Sequence, residues 1–171
     1  MIPADNISIR PYSERDKWVL EKILSDPTQM VYLNGPESPE KLSKRHEEYL
    51  AMSADPHSGC MYTITAGSGA NPVGNVGYWE AEWNGQKGWE TGWFVLPQFQ
   101  GKGIANSAMR LLINHLALFG PRFLFAFPSV NNLPSNAICK KLGFSLIEET
   151  ELEYPSKSGL KLHSNVWRLE L

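Results

Sequence analysis

The sequence predicts an α+β fold, in which a mixed, mostly antiparallel and twisted sheet of about seven strands carries helices on both faces. Apolar periodicity changes along the 171 residues and indicates the order β-α-α-β-β-β-α-β-α-β-β. Runs of consecutive strands favour antiparallel hairpins. A helical segment joins strand 89–96 to strand 123–127, so these two are expected to be parallel neighbours. The length fits one domain, and we expect residues 1–171 to form it.

The first third of the chain contains one short strand and two helices. Residues 7–10 alternate between apolar and polar, which is typical of a half-buried strand. Ser13 and Asp16 have the spacing of a capping box and predict a helix from there to about residue 24. Ser38 before Pro39 predicts the start of a second helix, which runs to about residue 52.

The middle of the chain predicts three strands and a tight hairpin. Residues 60–65 and 73–83 are biased toward apolar side chains, and residues 89–96 continue the pattern. Asn84-Gly85 separates the last two runs and is a strong signal for a two-residue turn, because both positions need positive φ.

The last third predicts two helices that alternate with strands. Residues 104–119 have helical apolar spacing and stop at Gly120-Pro121, and residues 123–127 read as a buried strand. A short helix over 132–142 ends at Gly143. Residues 144–154 and 160–169 complete the sheet as an antiparallel pair.

Composition excludes several classes of function. A net charge of −2 and a pI near 6.1 do not favour a nucleic-acid surface. No apolar run approaches the length of a membrane span, and the N-terminus lacks the pattern of a secretory signal, so we expect a cytoplasmic protein. Two cysteines make no disulfide framework, and no metal is expected because the four histidines form no ligand motif: His46, His57, His115 and His163.

Residues 98–105 lie between a predicted strand end and a helix start, and they favour a phosphate site. Gly101 and Gly103 allow a tight turn and close approach of a ligand. The unpaired N–H groups of a first helical turn attract anions, and Lys102 adds a positive charge. The run is neither a P-loop nor a dinucleotide fingerprint. A plain strand-to-helix turn without a ligand is the alternative.

Several motifs together resemble the GNAT N-acetyltransferase superfamily. Gln98-x-x-Gly101-x-Gly103 resembles its Q/R-x-x-G-x-G/A motif, and residues 132–144 resemble its "N-x-x-S … K-L-G-F" segment. Ile9-Arg10-Pro11 with Asp16 resembles the usual opening of these proteins. Residues 90–93, Glu-Thr-Gly-Trp, resemble the "E-x-G-Y" strand of the RimJ/RimL-like branch, which acetylates protein N-termini.

The resemblance implies that acetyl-CoA binds in a gap between strands 89–96 and 123–127. The pyrophosphate is expected on the main-chain amides of residues 100–104, and a bulge in the first strand is expected to free an N–H for the thioester carbonyl. The residues expected to bind the cofactor are Phe94, Val95, Leu96, Gln98, Gln100, Gly101, Lys102, Gly103, Ile104, Ala105, Asn132 and Ser135.

The implied reaction moves an acetyl group directly to a primary amine within a ternary complex. An alkyl ammonium must lose a proton before it attacks, and Glu90 stands where related enzymes keep a glutamate, so it is the candidate base. Glu90 as a solvated carboxylate, or as the partner of an arginine, is the alternative.

The departing thiolate raises a second question. Many members of the family have a tyrosine where this chain has Cys139, so the general acid is open among Cys139, Ser135 and water. Trp83 and Trp89 flank the Asn84-Gly85 turn and are expected to be more exposed than the other tryptophans nearby, lining an acceptor pocket or a dimer contact.

Three functions therefore compete. The first is an acetyl-CoA-dependent N-acetyltransferase acting on a protein N-terminus or a small-molecule amine. The second is a catalytically silent module that binds acyl-CoA, and the missing tyrosine is its main support. The third is an interaction domain without a ligand. Neither a nucleic acid nor a membrane is an expected partner, and both a monomer and a homodimer are compatible with the sequence.

Overall fold

Seven strands form one mixed sheet in the order β1-β2-β3-β4-β5-β7-β6. The computed structural model describes residues 6–154 and 158–171. Every strand pair is antiparallel except β4 with β5, which is parallel, so the predicted sheet is confirmed. The strands are β1 (Ile7–Pro11), β2 (Gly59–Ala66), β3 (Asn71–Trp83), β4 (Gln86–Val95), β5 (Phe123–Ala126), β6 (Ser145–Glu153) and β7 (Lys161–Glu170).

The helices follow the predicted order, with one difference at the first. They are α1 (Lys17–Leu24), α2 (Pro39–Ala54), α3 (Ile104–Leu116) and α4 (Leu133–Lys141). The Ser13–Asp16 capping box is present, but it caps a 3₁₀ turn over Glu14–Asp16, and the α-helix begins only at Lys17. In the described part of the chain, no helix is long and apolar enough to cross a membrane.

Helices cover both faces of the sheet, because alternate residues of the strands belong to two different cores. Cys60, Tyr62 and Ile64 of β2 pack with α3, whereas Met61 between them packs with α1 and α2. Side chains alternate across a strand, so the two clusters lie on opposite faces. The predicted arrangement of helices on both faces is therefore confirmed.

The hairpin between β3 and β4 turns at Asn84 and Gly85, as predicted. Both residues have positive φ, 49° and 78°, and the pairing runs without a register shift from Trp83–Gln86 to Gly74–Val95. The expectation of an exposed Trp89 is wrong. Its side chain is 7% exposed and meets Tyr78 edge-to-face at 4.9 Å, because it points into the α3 core rather than away from the sheet.

β4 and β5 pair over a very short stretch. Only Trp89 with Leu124 and Glu90 with Phe125 are in register between them. β4 stays paired with β3 as far as Val95, and β5 stays paired with β7 from Phe123 to Ala126. The two strands therefore separate after Glu90, and a gap opens at the carboxyl end of β4.

A buried ion pair joins β1 to the start of α1. Arg10 donates to both carboxylate oxygens of Asp16, at 2.7 and 2.6 Å, and the Ser13 hydroxyl donates to the same carboxylate at 2.8 Å. The Asp16 side chain is fully buried. Burial opposes its charged form, but the hydrogen bonds from Arg10 and Ser13 outweigh burial and lower the pKa of Asp16 to about 2.

Replacing Asp16 by asparagine is expected to lower the free energy of unfolding by about 3 kcal/mol, because Arg10 loses the charge that compensates it. The wild-type contribution is complete above the unfolded pKa of 3.8 and is lost as the pH falls toward about 2. Urea denaturation of both proteins at pH 7 and pH 2.5 measures this. Glu21→Gln, which removes an exposed pairing with Lys17 at 3.7 Å, is the control. Equal effects of the two variants at pH 7 contradict the assignment.

Candidate functional site

The loop between β4 and α3 has the conformation that the glycines predict. Gly101 and Gly103 have φ values of 71° and 77°, in the left-handed region that favours glycine. A Cβ atom built on either residue meets nothing within 4 Å. Both positions therefore face open space, and a ligand can approach the main chain there.

The main-chain N–H groups of residues 101–106 have no acceptor among the described residues. The first α-helical bond runs from the Ser107 N–H to the Gly103 carbonyl at 3.0 Å, so the preceding amides stay free at the helix N-terminus. The Gln100 N–H differs from the expectation, since it already donates to the Pro97 carbonyl at 3.1 Å. The anion cradle thus begins at Gly101.

Polar side chains hold this loop in place. The Gln100 amide donates to the Val95 carbonyl at 2.9 Å and to the Gln29 side chain at 3.0 Å, which ties the loop to the end of β4. Lys102 is exposed, donates to the Gln98 carbonyl at 2.8 Å and lies over the Phe99 ring at 5.4 Å. The ammonium group of Lys102 is therefore held against the loop that carries the free amides.

The main chain of β4 presents alternate residues to the gap. The Leu96 N–H donates to the Val73 carbonyl at 2.9 Å, so Leu96 faces β3. Because main-chain groups alternate in an antiparallel pair, the N–H and C=O groups of Phe94 also point toward β3, and those of Trp93 and Val95 point toward the gap. Of the three residues expected to pair with pantetheine, Val95 alone directs its main-chain groups there, and its carbonyl already accepts from the Gln100 side chain, which leaves the Val95 N–H free. The expected bulge is absent from the β3–β4 register, whereas β2 has an irregularity between Ile64 and Thr65.

α4 follows β5 along the chain, and Asn132, Ser135 and Cys139 lie at its start and along its length. Asn132 caps the helix, and its side-chain oxygen accepts from the Ser135 N–H at 3.2 Å. Ser135 is half-buried. Cys139 is fully buried in the α3 core, and burial raises the pKa of its thiol to about 12, so the thiol is protonated at neutral pH.

Glu90 lies where β4 makes its last pair with β5. Its side chain shares a face with Trp79, its cross-strand partner, and with Phe125, its neighbour on β5. Burial raises the pKa of Glu90 from 4.5 to about 7, and a polar contact with Trp79 offsets only part of the shift. No cation of the described ranges forms an ion pair with it. Glu90 can therefore exchange a proton near neutral pH.

Sequence analysis missed a group of charged residues from distant segments that act on Tyr154. Burial raises the pKa of Tyr154, and although Arg45 lowers it, the charges of Glu37 and Glu90 raise it further. Their separation along the chain leaves no local motif, so only the packing of α2 and the end of β6 reveals the group.

Comparison with known proteins identifies the family. The sequence model of the acetyltransferase (GNAT) domain matches residues 6–145. The chain belongs to the GNAT acetyltransferase family. A search of curated proteins by sequence found no match.

Solved structures share this GNAT fold at low identity. A RimL ribosomal L7/L12 alpha-N-protein acetyltransferase in complex with coenzyme A has a TM-score of 0.80 at 20% identity, over 99% of this chain and 97% of its own. A GNAT acetyltransferase from Bacillus anthracis has a TM-score of 0.77 at 17% identity, over 99% and 97%. Spermidine N-acetyltransferase from Vibrio cholerae, in complex with CoA and spermine, has a TM-score of 0.77 at 15% identity, over 97% and 96%.

The described residues contain no group of three or more His, Cys, Asp or Glu side chains that could hold a metal ion. Glu90 lies on the face of β4 with Trp79, whereas Cys139 is buried in the α3 core with Trp89.

Replacing Glu90 by glutamine is expected to stabilise the protein at pH 8 by about 2 kcal/mol, since it removes a carboxylate that folding withdraws from water. The raised pKa means that the wild type loses stability as the pH rises from 4.5 to about 7. The Glu90→Gln variant does not show this loss, so the free energies of unfolding of the two proteins should become equal near pH 4. Urea denaturation at both pH values measures it, and Glu82→Gln on the exposed part of β3 is the control. A Glu90→Gln protein less stable than wild type at pH 8 contradicts the assignment.

Proposed function

We propose that this protein is an N-acetyltransferase that moves an acetyl group from acetyl-CoA to a primary amine in a ternary complex, and that residues 1–171 act as one domain. The single observation that carries the proposal is a half-buried carboxylate, Glu90, with a pKa raised to about 7, on the strand that leads to the anion cradle at Gly101 and Gly103. Membership of the GNAT family supports it. The RimL-type and spermidine enzymes of similar fold make a protein N-terminus or a small amine the acceptor classes of choice.

The residues of the gap fit acetyl-CoA. The free N–H groups from Gly101 to Ala105 suit the pyrophosphate, with Lys102 adding charge and Gln98 and Gln100 holding the loop. The edge of β4 beyond Glu90, with the Val95 N–H, suits an extended pantetheine arm, which would add to the sheet like a strand. Phe94 and Leu96 fix that edge from the β3 side, and Asn132 and Ser135, at the start of α4 after β5, are the proposed contacts to the arm from the other side.

Glu90 is the proposed general base. Bound acetyl-CoA supplies an activated acyl group. The acceptor amine must be neutral to attack it, so a residue of this chain must take the proton of the ammonium group. A carboxylate with a pKa near neutrality removes a proton from an ammonium group, directly or through water, and can release it again. A glutamate in contact with bulk water would be a weaker base at the same pH.

The leaving thiolate receives its proton, in this proposal, from Ser135, Cys139 or water. Ser135 is half-buried, and its hydroxyl has no hydrogen-bond partner in the described part of the chain, so the hydroxyl can donate. Cys139 is fully buried, and a thiol with a pKa of about 12 gives up its proton less readily than an ordinary thiol, so it is a poor donor and a poor covalent acetyl carrier.

A cytoplasmic location is part of the proposal, since both cysteines are free and buried, as in proteins of reducing compartments. We also place the chain in the RimJ/RimL-like branch, on the strength of the Glu90-Thr91-Gly92-Trp93 segment and the similar RimL structures. A homodimer or a monomer would serve this chemistry equally.

Replacing Gly103 by tryptophan is expected to weaken acetyl-CoA binding by roughly tenfold or more, because the side chain occupies the open space beside the free amides. Titration calorimetry measures the affinity. Gly85→Trp is matched, with a φ of 78° against 77° and equally open space, but it lies in the β3–β4 turn at the other end of β4. If both variants bind like wild type, or both lose binding equally, the cradle is misassigned.

Replacing Glu90 by glutamine is expected to lower kcat for a primary amine by about 100-fold, the size of a lost general base. The base must be deprotonated to act, so wild-type kcat/KM should rise with pH through about 7, and the variant should lack that limb. Release of free CoA thiol from acetyl-CoA, measured across a panel of amines and peptides, tests both.

The silent acyl-CoA-binding module predicts a different outcome from the same assay. Acetyl-CoA would bind and raise thermal stability, yet no amine would release the thiol. An interaction domain without a ligand predicts no thermal shift at all. Either result rejects the proposed transfer.

A further inference from the structure

The side chain of Glu90 lies between two glycines whose missing side chains leave room for aromatic rings. Gly88, Glu90 and Gly92 alternate along β4 and therefore share one face of the sheet. A Cβ atom built on Gly92 would lie 3.0 Å from Cη2 of Trp79, and one built on Gly88 would lie 2.9 Å from Cε2 of Phe125. The Trp79 indole therefore lies over Gly92 and the Phe125 ring over Gly88, one on either side of Glu90.

The two rings act differently on the carboxylate. Trp79 is the cross-strand partner of Glu90 on β3, and Phe125 is its partner on β5, so both rings start directly beside it. Phe125 is fully buried and has no hydrogen-bond donor, so its ring only withdraws the carboxylate from water. The Trp79 indole also carries an N–H group, which favours the charged form of Glu90.

Trp83 provides a natural comparison for Trp79. It lies on the same strand and the same face, and both side chains are half-buried. Its indole N–H, however, donates to Glu148 Oε1 at 2.8 Å. Two tryptophans of one strand thus direct their N–H groups to different carboxylates, and only Trp79 acts on Glu90.

Other charged groups of the described residues do not replace the indole. No cation among them forms an ion pair with Glu90. Tyr154, at the end of β6, interacts electrostatically with Glu90, but burial raises the pKa of this phenol, so it is neutral near pH 7. The partner on β5, Phe125, carries no charge. The Trp79 N–H is therefore the group that offsets the burial of Glu90.

We propose that Trp79 is a positioning residue for the base, which orients the Glu90 carboxylate and stabilises its charged form through the indole N–H. This rests on the proposed acetyl transfer, in which Glu90 takes the proton of the ammonium group. The indole can lie beside Glu90 because Gly92 leaves space for it. Without the N–H, the carboxylate would remain buried but lose its donor, so it would keep its proton to higher pH.

The pH dependence of the reaction tests this role. Trp79→Phe keeps an aromatic ring but removes the N–H. A hydrogen bond to a charged group changes the proton affinity of that group by about tenfold, so the rising limb of kcat/KM should move up by about one pH unit. The variant should then be about fivefold slower than wild type at pH 7 and nearly equal to it at pH 9.

Trp83→Phe is the matched control, and it should leave the midpoint of the limb where it is in wild type. A purely structural role of Trp79 predicts a loss of activity of the same size at every pH. Such a uniform loss, or a midpoint that does not move in Trp79→Phe, overturns the inference.

Nuclear magnetic resonance gives a readout that needs neither turnover nor a variant of Trp79. The ¹H–¹⁵N signal of the Trp79 indole should shift with a midpoint of about 7 as Glu90 becomes charged, and Glu90→Gln should remove this shift. The Trp83 signal should not change in Glu90→Gln. A Trp79 signal that stays constant between roughly pH 5 and pH 9, or that titrates equally in Glu90→Gln, overturns the inference.

The two proposals fail differently. If no amine releases thiol, acetyl transfer is rejected, and the indole signal still decides whether Trp79 contacts the Glu90 carboxylate. If amines react but Trp79→Phe has the pH profile of the wild type, acetyl transfer stands and Trp79 only packs against Gly92.

Discussion

The site depends on the short parallel contact between β4 and β5. Two residue pairs hold the strands together, while β3 and β7 hold their outer edges along most of each strand. Because the main chain of β4 beyond Glu90 has no partner on β5, the polar groups of Trp93 and the N–H of Val95 have no strand partner on that side, while the Val95 carbonyl accepts from Gln100. The glycine loop follows β4 and α4 follows β5, so both come after the point where the two strands part.

Burial of Glu90 at this contact lowers the stability of the fold but raises the pKa of the carboxylate toward neutrality. Glu90 is withdrawn from water beside Trp79 and Phe125, which disfavours its charge and brings its pKa to about 7. A carboxylate tuned in this way costs folding free energy, which the apolar packing of two helical layers must offset. Cys139 shows the other outcome of burial, since the raised pKa of its thiol keeps it neutral.

Short sequence patterns correctly predicted the features that depend on neighbouring residues. The Asn84-Gly85 turn, the capping box at Ser13 and the element order follow from backbone preferences and periodicity, and the structure has all of them. The direction in which a strand residue points depends on its partner strands. For that reason the Trp89 side chain was expected near the surface but is in the core. The main-chain groups of Phe94 were expected at the gap but pair with β3.

The order of the elements, the glycine loop before α3 and the choice of Glu90 as candidate base could all be predicted from the amino-acid sequence, because each depends on a few neighbouring residues. The point where β4 and β5 part and the extent to which the pKa of Glu90 rises follow only from the folded chain. Strand separation and desolvation depend on which distant residues pack together. The same holds for the ion pair between Glu37 and Arg45 and for the hydrogen bond from Asn34 to the Tyr154 carbonyl.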